Sequence, residues 1–323
     1  MRKNNKTKKR TVKKISSKQW VSPIPKKVHL IWIGGEPPEY FKLFLQTFYD
    51  HLPEFDIKVW GNKDLTRKNF PKTYDYIMKA KKLQGQPMKD DYDNTMLDDN
   101  YEPYKYSKWA QITDLMRLEI VYNNGGYYFD TTFEILKPLY NLFNKKDVNF
   151  VGCNEIPRFK NVNILSNSFF GATQKNPILK RLLLKSNLNS IDFYDSAVDF
   201  QTGPGYLRSG ILPDDNYFIF PTTYFYPFVE EYSPGQDPPY RKASKNKCHS
   251  MTQKGNMKNI GTKGYLNFPC QKYPKSYALK HWQLGKSWLI HSYNIRSDKK
   301  HLLKTEDRSW ISNKSLDNSL TKY

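Results

Sequence analysis

Gly125-Gly126-Tyr127-Tyr128-Phe129-Asp130-Thr131-Thr132-Phe133-Glu134 is the stretch from which the fold of this 323-residue chain is read. Paired glycines stop a helix, and the aromatic and β-branched residues after them favour a strand. Asp130 arrives on that strand with no basic neighbour in sequence. A carboxylate in so apolar a setting is costly unless a positive group meets it, and a divalent metal is the usual candidate. By the period of two, Tyr128, Asp130, Thr132 and Glu134 are expected on one side of the strand.

Upstream, from Ser107 to Asn124, Trp109, Ile112, Leu115, Met116, Leu118, Ile120 and Val121 recur at helical spacing. Asp114 and Arg117 lie three apart, so they share a face of that helix and can meet one ligand. Taken alone, the two read more plainly as a surface ion pair. Helix, glycine pair, aromatic strand and aspartate in succession point instead to a ligand site.

The rest of the chain alternates strands and helices. Val28 to Ile33 is apolar apart from His29 and reads as a central strand. Gly34-Gly35-Glu36-Pro37-Pro38 breaks it, and Glu39 to His51 reads as a helix. Phe55–Trp60, Val148–Cys153, Ser168–Ala172 and Tyr217–Phe220 read as further strands. Asn176-Pro177 supplies an N-cap and a first-position proline for a helix over Ile178–Leu188. This order implies an α/β fold with one parallel-type sheet covered by helices on both faces. Ligands then sit at the carboxyl ends of strands, where Trp32 and Asp130 fall.

Hydrophobic residues make up 38% of the chain and charged residues 26%. No apolar run approaches the roughly 20 residues that cross a bilayer. Met1 to Trp20 holds nine Lys or Arg, no acid and no apolar stretch, unlike a secretory signal. Three scattered cysteines suit a reducing compartment, so a cytoplasmic location is expected, the host cytoplasm if the chain is viral. The net charge of +21 is concentrated in residues 1–20 and 240–275, each with nine basic residues and no acid. Such blocks suit a solvated segment, contact with an anionic membrane through the tail, or a polyanionic partner. A nucleic-acid partner is not expected. The aspartates between 90 and 99 lack the central glycine and closing glutamate of a calcium loop and read as an acidic surface insert.

The pattern Ala110-x-x-Thr113-Asp114-x-x-Arg117, then Gly125-Gly126-x-Tyr128-x-Asp130-x-Thr132, resembles the sugar-nucleotide signature of DXD-containing glycosyltransferases. The groups it resembles are family 32 and the large glucosylating bacterial toxins. Ile24 to Gly35 is similar to the family's opening strand and Thr202-Gly203-Pro204 to its mid-domain turn. Tyr277-Ala278-Leu279-Lys280-His281-Trp282, followed by Ser287-Trp288, is similar to its closing segment. The resemblance implies an α/β, GT-A-like (Rossmann-like) single nucleotide-sugar-binding domain with a central mixed, mostly parallel sheet and added helices over residues 23–295. A basic tail (1–22), an acidic insert (about 88–103), a basic mobile loop (about 240–275) and a C-terminal extension (296–323) complete the expected layout.

By the same resemblance, the chain moves a sugar from a nucleotide-sugar donor, a UDP-sugar, to a glycan or protein acceptor with retention of configuration. Trp32 is expected to stack on the base, Asp114 to accept bonds from sugar hydroxyls, and Arg117 to reach the sugar or a phosphate. Tyr128 is expected beside the donor, and Ser287 and Trp288 over the leaving diphosphate. Mn²⁺ or Mg²⁺ on Asp130, Thr132 and His281 would act as a Lewis acid. Asp130, Asp114 and Arg117 form the expected catalytic group. Thr132 departs from the pattern, standing where the family carries its second metal-binding aspartate, and a neutral hydroxyl is a poorer ligand for a hard cation. A weakened metal site, basic residues in its place, or a degenerate relative all follow from that change. Two other readings stay open: a sugar-nucleotide or glycan binder without turnover, suggested by Thr132, and a polyanion-binding protein, suggested by the two basic blocks.

Overall fold

Val28 and Leu30 alternate with His29 and Ile31 along the first strand, and this two-sided pattern organises the molecule. The computed structural model describes residues 19–37, 39–88, 94–97, 101–103, 105–155, 164–194, 198–226 and 276–280. In chain order the elements are β1 (Lys27–Ile31), α1 (Glu39–His51), β2 (Asp56–Trp60), α2 (Tyr74–Leu83), α3 (Trp109–Asn124), β3 (Gly126–Phe129), β4 (Phe133–Ile135) and α4 (Tyr140–Phe143). They continue with β5 (Phe150–Glu155), β6 (Ile164–Ala172), α5 (Pro177–Leu182), α6 (Lys185–Asn189), α7 (Val198–Gln201), α8 (Pro204–Ser209), β7 (Tyr217–Phe220) and β8 (Ala278–Lys280).

Six strands form one sheet in the order β2-β1-β3-β6-β5-β7. Only β6 runs against the rest, being antiparallel to both β3 and β5. The sheet is mixed and mostly parallel, as the family resemblance implied. Successive residues of β3 feed opposite cores. Tyr127 and Phe129 share one core with Phe41, Phe44 and Phe48 of α1. Tyr128 joins the other, with Ile77 of α2 and Ile112, Leu115 and Met116 of α3. Each such side chain, once buried, contributes roughly 1.5–3 kcal/mol.

The glycine pair does two jobs. Gly125, at φ 64°, ends α3 by donating its N–H to the Val121 carbonyl at 2.8 Å. Gly126 sits at φ 100°, and a Cβ there would lie 2.6 Å from the Lys27 carbonyl oxygen. Without a side chain, β3 comes directly alongside β1. His29 ties the same corner: its Nε2 donates to the Gly125 carbonyl at 2.8 Å, while Nδ1 accepts from Trp60 Nε1 at 3.3 Å. Burial pushes this imidazole from 6.5 down to about 4, so it is neutral in the fold.

Two expectations are corrected. The strand does not run on from Gly126 to Glu134. It ends at Phe129, and Asp130–Thr132 form a turn closed by the Phe133 N–H on the Asp130 carbonyl at 3.1 Å. Thr132 and Glu134 therefore do not share a strand face with Asp130, and Glu134 is buried on β4. The helix expected over Ile178–Leu188 is two helices. Leu182, Leu183 and Leu184 cannot all face the core, and the break leaves Leu184 46% exposed while Leu188 is buried. Asn187 Nδ2 donates to the Arg181 carbonyl at 2.8 Å, satisfying the end of α5. The Asn176 cap is found, its side chain accepting from the Ile178 N–H at 3.0 Å.

Candidate active site

The chain passes from β1 to β2 on one side of the sheet, while β3 lies on the other side of β1. The carboxyl ends of β1 and β3 thus flank a switch point in strand order, where an open α/β sheet leaves a crevice for ligand. Trp32 follows β1 and Asp130 follows β3. What the crevice can bind is then set by the side chains that other elements bring to these two positions.

Helix α3 is buried almost all round, so its polar side chains need partners inside the protein. Asp114 and Arg117 lie on it one turn apart, with Arg117 Nη2 3.1 Å from Asp114 Oδ1. Asp114 Oδ1 also accepts from Asn167 Nδ2 at 2.8 Å, and Oδ2 accepts from Thr202 Oγ1 at 2.9 Å. The Thr202-Gly203-Pro204 turn acts here by bringing that hydroxyl to Asp114. Arg117 donates to the Asn167 carbonyl at 2.8 Å and to the Thr113 carbonyl at 3.2 Å, and its guanidinium lies 4.6 Å from the Tyr128 ring centre. Its Nη1 is 3.4 Å from Asp130 Oδ1.

Asp130 thus closes the cluster. Its backbone N–H extends the β3–β6 ladder to the Ser168 carbonyl at 2.8 Å. Oδ1 accepts from the Tyr128 hydroxyl at 2.7 Å, and Oδ2 is paired with the Lys280 ammonium. Lys280 reaches this point because β8 is antiparallel to β4, with Lys280 opposite Phe133 in the register. Its ammonium also lies 5.4 Å from the Phe133 ring centre. Asp114, Arg117 and Lys280 are buried, whereas the Asp130 side chain is 26% exposed. Asp130 is the member of the cluster that opens outward.

Titration follows these contacts. Burial pushes the Asp114 carboxyl from 3.8 up to about 6, with Arg117 and the Thr202 hydroxyl holding it from rising further. Burial alone would raise Asp130 too, but Lys280, Arg117 and the bonds from Lys280 and Tyr128 hold it below the ordinary carboxylate range. Two carboxylates that flank the same guanidinium are thereby kept in different environments.

The expected residues are distributed as follows. Asp114, Arg117, Tyr128 and Asp130 come together. Trp32 is half-buried at the end of β1, one face of its ring stacked on Phe41 at 5.5 Å and its Nε1 donating to the Gly35 carbonyl at 2.8 Å. His281, Ser287 and Trp288, the basic segments 1–18 and 240–275, the aspartates of the acidic insert and the C-terminal extension (296–323) lie outside the described residues. Three contributors were missed: Asn167, Tyr226 and Lys280. Asn167 had a signal, since Ser166-Asn167-Ser168 is a polar run inside the otherwise apolar β6. Tyr226 hydroxyl meets Ser168 Oγ at 2.8 Å behind the cluster. Lys280 stood in the closing segment with no sign of its partner.

Of the expected metal donors, the two among the described residues, Asp130 and Thr132, do not fit a metal in this arrangement. Asp130 offers one carboxylate, and its two oxygens already meet Tyr128, Arg117 and Lys280. Thr132 Oγ1 is neutral, shielded from solvent and makes no hydrogen bond. Among the described residues no three His, Cys, Asp or Glu side chains converge as a metal-binding group. A hard divalent cation takes six or more oxygens and avoids an adjacent ammonium.

Residues 38–150 make up about a third of the chain. They match the family described as "Glycosyltransferase sugar-binding region containing DXD motif". That region holds Asp114, Arg117, Tyr128, Asp130 and Thr132. Among curated proteins none matches the sequence. Similar solved structures include the PaToxG glycosyltransferase, at 18% identity over 58% of this chain and 68% of that one, with a TM-score of 0.38. The UDP-bound glycosyltransferase domain from the YGT toxin is 11% identical over 61% and 79%, TM-score 0.36. The catalytic domain of alpha-toxin from Clostridium novyi is 10% identical over 58% and 72%, TM-score 0.36. Among the described residues, no helix is long and apolar enough to cross a membrane.

Proposed function

We propose that this chain is a retaining hexosyltransferase that binds a nucleotide-sugar, a UDP-sugar, in the crevice between β1 and β3 and transfers the sugar to a glycan or protein acceptor. The observation that carries the reading is the meeting of Asp114, Arg117 and Asp130 at the switch point, inside the region that matches a sugar-binding family. Such a transferase must hold the base, neutralise the diphosphate and leave the anomeric carbon open to the acceptor. In this reading Trp32 stacks on the base with the ring face that Phe41 leaves available. Asp130, the outward-opening carboxylate, orients the donor by accepting hydroxyl bonds.

Arg117 and Asp114 act chiefly as positioning residues, because their polar atoms are taken up by each other, Asn167, Thr202 and Thr113. Ser287 and Trp288 are proposed to close over the departing diphosphate. Front-face transfer suits the site, since the described cluster holds no second open carboxylate to act as a nucleophile or as the opposed base of a hydrolase. A cytoplasmic setting is part of the proposal, supported by the sparse cysteines. No metal step enters it, for the reasons of fit given above.

The test is release of nucleoside diphosphate by the wild-type chain from UDP-glucose, UDP-N-acetylglucosamine, UDP-galactose and GDP-mannose. Turnover of one of them supports the proposal. Binding without turnover of any would favour the non-catalytic binder that Thr132 suggests, and neither binding nor turnover would overturn the proposal.

A further inference from the structure

Asp130 has its own cation. The Lys280 ammonium pairs with Oδ2, and it is brought there by the β4–β8 register from 150 residues away in sequence. On the other side Arg117 lies 3.4 Å from Oδ1. The motif's second carboxylate, the group that would draw a divalent ion to this point, is replaced by Thr132, whose hydroxyl is buried and unbonded. A neutral hydroxyl where the motif carries an anionic ligand, and an ammonium on the neighbouring carboxylate, are complementary features. Arg117 and Lys280 each lie against a carboxylate, so both cations are held in place before a ligand arrives.

We propose that Lys280 takes the place of the divalent metal: its ammonium, oriented by Asp130, is the counter-charge for the diphosphate of the donor, and nucleotide binding here does not depend on a metal ion. An ammonium is suited to the task, having three N–H donors and a charge that a phosphate oxygen can share with Asp130. Burial beside Phe133 restricts its long side chain to one position, so less freedom is lost when the phosphate arrives. The inference rests on the proposed donor-binding role of this crevice and adds the identity of the group that neutralises the phosphates.

Calorimetric titration of UDP and GDP into the full chain, in EDTA and again in excess MnCl2, is the experiment. The tighter nucleotide should bind with dissociation constants that differ by less than about 3-fold between the two buffers. Lys280→Met should weaken it by about 10- to 100-fold, the range of one charge-assisted hydrogen bond, while Lys280→Arg should restore most of the loss. A Lys280→Met, Thr132→Asp double variant should recover binding only when Mn²⁺ is present. Should Lys280→Met fail to fold, the wild-type protein still decides. Electron paramagnetic resonance of Mn²⁺ should show no stoichiometric loss of the free-ion signal on adding protein and nucleotide.

Binding that requires Mn²⁺, or one equivalent of Mn²⁺ captured with the nucleotide, overturns the role of Lys280 and leaves the transferase reading standing. Failure of both nucleotides to bind in either buffer overturns the transferase reading itself, and the inference with it.

Discussion

Asp114→Asn should make the protein more stable and less active at once. The carboxyl has its folded pKa raised from 3.8 to about 6 by burial, so the folded protein holds this proton more tightly than the unfolded chain does. Stability contributed by the group therefore falls as pH rises from about 4 to about 6, and above that the ionised form costs the fold about 3 kcal/mol. An amide has the same shape and carries no charge to desolvate. Its oxygen can keep the Asn167 bond, and its nitrogen can donate to Thr202 Oγ1 after the hydroxyl turns to accept.

The opposing effect is loss of a charge beside buried Arg117, and breaking a buried pair often costs about 3–5 kcal/mol. Arg117 is better provided than that: Asp130 remains 3.4 Å away, and the Asn167 and Thr113 carbonyls still accept from it. The balance favours the amide by up to about 3 kcal/mol at neutral pH, which is a rise in Tm of roughly 5–10 °C. At about pH 4 both proteins are neutral at this position and the gain should vanish. Differential scanning calorimetry at the two pH values measures it, alongside nucleoside diphosphate release. Turnover should fall at least about tenfold, because the charge that fixes the Arg117 fork is gone. A Tm lower than wild type at neutral pH, or a gain undiminished at about pH 4, would refute the reasoning.

Three further predictions concern the scaffold. His29 has its folded pKa depressed to about 4 against 6.5, so the stability it confers is present above about 6.5 and is lost as pH falls through 4, about 3 kcal/mol in all. Urea unfolding of wild type and His29→Gln across that range should show a steeper acid loss in wild type. Glu119, buried on α3, accepts from the Lys72 N–H at 2.9 Å, the Thr73 N–H at 2.8 Å and the Thr73 hydroxyl at 2.7 Å at the start of α2. Glu119→Gln turns an amide toward these donors and should cost about 1–3 kcal/mol in the same assay. Gly126→Ala places a methyl 2.6 Å from the Lys27 carbonyl at a left-handed φ, and should cost more than about 2 kcal/mol or abolish soluble expression.

Local signals carried much of this architecture. The helix over Glu39–His51 and the strand over Tyr217–Phe220 were legible with their observed bounds, because apolar spacing and breakers on both sides define them. Asp114, Arg117, Tyr128 and Asp130 were legible as one site because one helix, two glycines and one strand hold them close together in sequence. What was not legible depends on pairing over distance. The turn at Asp130–Thr132 is fixed by β4 meeting β8, a strand from the far end of the described chain, and the alternating pattern through Glu134 hid it. The counter-charge of Asp130 came from the same pairing, so the carboxylate looked unpartnered and a metal looked necessary. The splitting of α5 from α6 needed knowledge of which leucines reach the core.

The transferase account is tested most directly by nucleoside diphosphate release from Asp130→Asn beside wild type, on whichever donor wild type uses. The substitution keeps the size of the side chain but surrenders the charge that Lys280 and Arg117 flank. Turnover should drop by about 100-fold or more while the circular dichroism spectrum is unchanged. Wild-type turnover in the folded Asp130→Asn protein would contradict the assignment of this crevice as the active site.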